Sequence, residues 1–130
     1  GERSCVLKGH TERISYCVFS PNSALIASCS WDSTCRIWDA ATGKCISTLK
    51  GHTFHCYHCA FTPDGDYIVS ASFDNTCRLW NVSTALSIAE QPDASTVTKW
   101  EGHADGVTSC SFSPSGRFLA SSSLDNSCRV

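Results

Sequence analysis

The chain has 130 residues, 42% hydrophobic and 17% charged, a composition that is globular rather than disordered or fibrous. Its formal net charge of -2, with the basic residues scattered singly, offers no positive field to a phosphate backbone, so nucleic acid is not an expected partner. No apolar run approaches the roughly 20 residues that cross a bilayer, and neither a membrane partner nor a cofactor is expected.

In chain order, residues 4–8 read as a strand able to serve as the outer strand of a neighbouring unit, and Gly9-His10 follows. Runs rich in β-branched and aromatic residues come next at 14–19, 25–30, 34–38 and 45–49, each bounded by Pro, Gly, Asn, Asp or Ser. That is the pattern of four short strands joined by tight turns. The order then returns from Gly51-His52 and again from Gly102-His103. Nine residues after each His stands a Phe before a Ser/Thr-Pro turn, at Phe19, Phe61 and Phe112. Next come Ser30-Trp31-Asp32, Ser72-Phe73-Asp74 and Ser123-Leu124-Asp125, and then Cys35-Arg36-Ile37-Trp38, Cys77-Arg78-Leu79-Trp80 and Cys128-Arg129-Val130. The first period is 42 residues and the second 51, which places an insertion around residues 86–96. The units are therefore about 9–50, 51–101 and 102–130, with 1–8 supplying a strand to a neighbouring blade.

Ten cysteines in such a chain could suggest a disulfide scaffold. Cys17, Cys59 and Cys110 fill one slot of the repeat, however, and Cys35, Cys77 and Cys128 fill another. A framework would stitch different places together, so most of these are expected to be free thiols packed in a core, in a reducing, cytoplasmic setting.

Four short strands in a unit of about 40 residues, marked by Gly-His and Trp-Asp, make the sequence resemble the WD-repeat family. The resemblance covers all but the insertion and implies an all-β fold of propeller blades, each a four-stranded antiparallel sheet. It also implies a hydrogen-bonded tetrad in each blade: His10, Ser28, Asp32 and Trp38 in the first, His52, Ser70, Asp74 and Trp80 in the second. The third has His103, Ser121 and Asp125, with no Trp. An indole N–H is a donor in need of a buried partner, and Asp can accept from imidazole while Ser bridges.

A Ser, a His and an Asp together invite a hydrolase reading, but the trio recurs in every unit, and a nucleophile is needed once. Cys56-Tyr57-His58-Cys59, with His52 and His55 nearby, resembles a metal clip. On a regular strand, residues three apart face opposite ways, so no metal site is expected unless a bulge intervenes.

In relatives of this family, partners meet the residue before each turn Asp and the start of each first strand. Those positions are here Trp31, Phe73 and Leu124, with Arg13, Ser15, His55, Tyr57, Gly106 and Thr108. Exposed aromatics beside an Arg are the usual makings of an interface, so the expected function is a non-catalytic scaffold for proteins or peptides. The alternative is a purely structural assembly unit. Propellers close with about four to eight blades and three leave bare edges. The chain is thus expected either to belong to a longer propeller or to form a homo-oligomer, most simply a dimer closing a six-blade ring.

Overall fold

A computed structural model of the chain describes residues 5–87 and 96–130. Strands β1 (Ile14–Phe19), β2 (Leu25–Ser30), β3 (Cys35–Asp39) and β4 (Cys45–Leu49) form one antiparallel meander. A second follows from β5 (Cys56–Phe61), β6 (Tyr67–Ser72), β7 (Cys77–Asn81) and β8 (Thr96–Trp100). The third sheet holds β9 (Val107–Phe112), β10 (Leu119–Ser123) and β11 (Cys128–Arg129). The strands expected at 14–19, 25–30, 34–38 and 45–49 form, the third starting one residue later than its sequence pattern suggests.

Turn chemistry explains the meanders. After β1 the chain reverses through Ser20-Pro21-Asn22-Ser23, closed by a Ser23 N–H to Ser20 carbonyl bond of 2.9 Å. Pro suits the second position of such a turn. The last position takes a left-handed conformation, with φ 63 at Ser23, 78 at Gly65 and 72 at Gly116.

The blades lie side by side, β5 against β1 and β2, and β9 against β5 and β6. Successive residues of a strand face opposite ways, so the middle blade feeds two cores. Ile68 joins Ala27, Cys29, Ile37, Leu49 and Trp80 between the first two blades, while Val69 and Ala71 join Val107 and Cys110 between the second and third.

That geometry sorts the cysteines. All ten are free. Cys59 and Cys110 face the preceding blade, and Cys35 and Cys77 face the following one, so all four are buried. Cys17 and Cys128 occupy the same slots at the outer faces of the first and third blades and are exposed. The expectation of core packing therefore does not extend to these two.

Three features differ from the sequence reading. Residues 5–8 of the expected strand at 4–8 enter no sheet, while Ser4 lies outside the described residues. The Cys5 thiol donates instead to the Thr42 carbonyl at 3.6 Å, and a side chain on Gly43 (φ 75) would collide with it. Strand β5 carries an irregularity between Cys56 and His58, and Cys56 and Cys59 both enter the first core cluster. The bulge undoes the alternation on which a metal clip was set aside. Even so, among the described residues no group of three His, Cys, Asp or Glu side chains is placed to hold an ion. Finally, the insertion opens as a short helix, α1 (Val82–Ser87), that repeat spacing did not foresee. Asn81 caps it by accepting from Thr84 N–H at 2.9 Å. Val82 and Ala85 are buried in the first core cluster, and the Ala85 carbonyl accepts from Ser47 of β4 at 2.9 Å. The rest of the insertion, 88–95, lies outside the described residues.

Candidate interaction face

Each blade is first fixed by its polar network. His10 Nδ1 lies 2.8 Å from Asp32 Oδ2, His10 Nε2 lies 2.7 Å from Ser28 Oγ, and Trp38 Nε1 donates to that same oxygen at 2.8 Å. An indole N–H can only donate, so Ser28 accepts from Trp38 and turns its own hydroxyl proton toward Nε2. Nδ1–H is then the donor to Asp32. The second blade repeats the set, with His52 to Asp74 at 2.8 Å, His52 to Ser70 at 2.6 Å and Trp80 to Ser70 at 2.8 Å. In the third, His103 meets Asp125 and Ser121, each at 2.8 Å. No indole reaches Ser121 among the described residues. A cavity of about 490 Å³ lined by Leu79, Phe112, Leu119 and Ser121 opens there, away from the aromatic residues considered below.

Sequence reasoning missed one member of these networks. Thr34, Thr76 and Ser127 each donate a hydroxyl to the Asp two residues before, at 2.6, 2.5 and 2.5 Å. A hydroxyl residue at that place in all three copies was the available signal. The backbone N–H groups of Thr11, Thr53 and Ala104 complete the set around each carboxylate. For Asp32 and Asp74 burial alone would raise the pKa, but the donors outweigh it: Thr34 and His10 hold Asp32 below its ordinary value, and His52 and Thr76 hold Asp74 well below. Asp125 is likewise held well below, first by the Ser127 hydroxyl and then, against some burial, by His103. Burial pushes the Cys110 thiol up and the Cys77 thiol up to about 12, so both stay protonated and inert.

These networks anchor the turns from which the partner-face residues project. The turn residue's N–H bonds the carbonyl of the residue before or at the start of each first strand: Trp31 to Arg13 at 2.9 Å, Phe73 to His55 at 2.8 Å, Leu124 to Gly106 at 2.9 Å. Several side chains that the sequence reading placed on one face are thereby brought together. Arg13 Cζ sits 4.6 Å from the centre of the Trp31 ring, and His55 stacks on that indole at 4.6 Å with planes 6° apart. Tyr57 lies 6.0 Å from Trp31 and stacks on Phe73 at 4.0 Å and 8°. Phe73 in turn covers Gly106 so closely that a Cβ there would meet its ring at 2.6 Å. The result is one run of rings across the first two blades, ending against Gly106 of the third.

Other expected members stand differently. Ser15 donates to the Cys56 carbonyl at 2.7 Å, tying the first blade to the second, and Thr108 donates to the Ser122 carbonyl at 3.2 Å. Leu124 is 52% exposed but makes no ring contact among the described residues. Phe54 was not anticipated: it is exposed and lies 4.2 Å from the His55 ring. It occupies no recurring slot, so the repeat gave no sign of it.

Antiparallel meanders set side by side, each pinned by a His-Ser-Asp network, define an array of β-propeller blades. A sequence profile described as "WD domain, G-beta repeat" matches residues 1–39, 43–81 and 94–130. The chain belongs to the WD-repeat family. It is 44% identical over 48 residues to transcription initiation factor TFIID subunit 5 of Drosophila melanogaster, covering 37% of this chain and 7% of that protein. It is 51% identical over 37 residues to MST50-interacting protein 11 of Pyricularia oryzae, covering 28% and 12%. Ribosome assembly protein 4 of Chaetomium thermophilum is 42% identical over 40 residues, covering 31% and 8%. The chain thus spans about a tenth of the length of the curated relatives it matches.

Proposed function

We propose that the chain is a non-catalytic scaffold that holds proteins or peptides on the face of Arg13, Trp31, His55, Tyr57 and Phe73. The single observation that carries this reading is the continuous stack from Arg13 through Trp31 to Phe73. Large rings and arginine supply much of the binding energy of protein interfaces because they cover area at little entropic cost. The names of two relatives, a transcription factor subunit and an interacting protein, suit a component of larger assemblies. Catalysis is disfavoured on chemical grounds, since Ser28 and Ser70 each hold an indole. The free thiols suit a reducing, intracellular compartment.

The test compares capture by the immobilised wild-type chain and by Trp31→Ala/Phe73→Ala. Loss of specific bound proteins at unchanged fold is the expected outcome; a folded double variant that captures the same proteins equally well rules out this face.

A second reading is a structural unit that associates with its own kind. Its support is the apolar surface on the two outer blades, with Phe19 60% exposed on the first and Phe118 58% exposed on the third. Light scattering at micromolar concentration tests it: a dimer has twice the 14.1 kDa chain mass, and a stable monomer excludes the ring.

A further inference from the structure

We infer that Arg13, held over Trp31, is the anion-reading point of this face, and that the face takes an acidic peptide: an oxyanion on Arg13 and an apolar or aromatic side chain against Tyr57 and Phe73. The inference rests on the peptide-binding reading above and names the ligand chemistry.

Arg13 is exposed, yet among the described residues its guanidinium makes no ion pair or hydrogen bond, and its one recorded partner is the indole ring 4.6 Å away. A guanidinium placed over a ring keeps its N–H groups at the edge, preoriented for two parallel bonds to a carboxylate or phosphate. Carboxylates at the two ends of the run of rings do not serve it. Asp32 is engaged by His10, Thr11 and Thr34, and Asp105 accepts from Gly106 N–H at 2.7 Å. Glu12, exposed and adjacent in sequence, forms no ion pair with it among the described residues.

A second, independent observation marks the same place. Trp31 Nε1 is covered and has no hydrogen-bond partner, whereas Trp38 and Trp80 both place theirs on a serine. Polar groups in native folds are nearly always satisfied, and exceptions gather where function sets the geometry. The Trp31 side chain is therefore positioned by its ring contacts with Arg13 and His55 and not by a hydrogen bond of its indole. From Arg13 to Phe73 the path runs through Trp31 and Tyr57 with no step above 6.0 Å. About four or five extended residues, at about 3.3 Å each, cover that span.

The experiment titrates the full, isotope-labelled chain with short synthetic peptides bearing a phenylalanine about four residues after a glutamate, a phosphoserine or a lysine. The expected result is saturable binding of the glutamate and phosphoserine peptides with a shift of the Trp31 indole resonance. Arg13→Gln should weaken it about tenfold or more, and Arg13→Lys by less. The tighter of the two acidic peptides identifies the oxyanion source. Unshifted indole resonances of Trp38 and Trp80 verify that each variant is folded. Equal binding by Arg13→Gln, equal binding of the lysine peptide, or no Arg13-dependent binding at millimolar peptide each overturns the inference. If Trp31→Ala/Phe73→Ala abolishes protein capture while Arg13→Gln leaves it intact, the interaction face stands and the oxyanion site falls.

Discussion

Trp80 donates its indole N–H to Ser70 at 2.8 Å, and the same oxygen meets His52 at 2.6 Å, so one hydroxyl joins the outer half of a blade to the loop entering it. His52→Ala leaves Ser70 and Asp74 each short of a buried partner. It should cost about 1 to 3 kcal/mol of stability. His103→Ala should cost less, because the third network has no indole and its Asp125 is less covered. Urea midpoints of the two variants make the comparison; equal losses would mean that the indole adds nothing to the network.

Acid should unfold the protein through the same carboxylates. An ordinary aspartate titrates near 3.9, and Asp74 in the fold does so well below that, chiefly because the His52 bond outweighs burial. Between those two values the unfolded chain binds the extra proton. The contribution of Asp74 is therefore complete above about pH 5 and is lost as pH falls from about 4 through the lower folded value. Asp74→Asn should lower stability at neutral pH and flatten its decline between about pH 5 and 2. An acid limb as steep as that of the wild type would show that other groups govern it.

Thiol reactivity should follow position in the blade array. Cys5, Cys17 and Cys128 are exposed and should react promptly with a thiol reagent in the native state. Cys29, Cys35, Cys56, Cys59, Cys77 and Cys110 are buried and should react only on unfolding. In denaturant without reductant the count should approach all ten. Pairs that stay protected until reductant is added would overturn the proposal of a reducing compartment.

Gly106→Ala probes the far end of the aromatic run. Its backbone is not in the left-handed region, so the cost is steric: the new methyl would meet the Phe73 ring at 2.6 Å. Overpacking of this kind costs about 1 kcal/mol when a side chain can swing aside. The Phe73 ring should then leave Tyr57, visible as a change in the ring-current shifts of both. Unchanged shifts would mean that the stack is not coupled to the third blade.

Repetition explains what could be read from residues alone. Each His and its Asp stand 22 positions apart in all three blades, and each such pair is bonded at 2.8 Å. The turn residues Trp31 and Phe73 were found for the same reason, since the N–H that pins each of them recurs. Features that do not recur stayed hidden, Phe54 beside His55 and the helix capped by Asn81; the bulge near Cys56 does recur at the equivalent place in β1 and β9, but it depends on backbone rather than side-chain identity. Cys17 and Cys128 show the opposite error, because identical slots were given identical burial although each needs a neighbouring blade to cover it.

Ser23 occupies a slot that the other two blades fill with glycine, at φ 63 against 78 for Gly65 and 72 for Gly116. A Cβ in the left-handed region costs about 1–2 kcal/mol, while glycine's extra freedom in the unfolded chain returns about 0.5–1 kcal/mol of that. The turn's closing bond, Ser23 N–H to Ser20 carbonyl at 2.9 Å, is a backbone bond that glycine retains. Ser23 is also exposed, so its side chain covers no core. Ser23→Gly should therefore stabilise the protein by about 0.5 kcal/mol. Gly65→Ser should destabilise it by a similar amount, because it introduces the same strain in the second blade. Both should move the urea midpoint in opposite directions at unchanged slope, which marks a change in stability rather than in the unfolded ensemble's compactness. A Ser23→Gly midpoint at or below that of the wild type would show that the hydroxymethyl group makes a favourable contribution that outweighs the backbone strain.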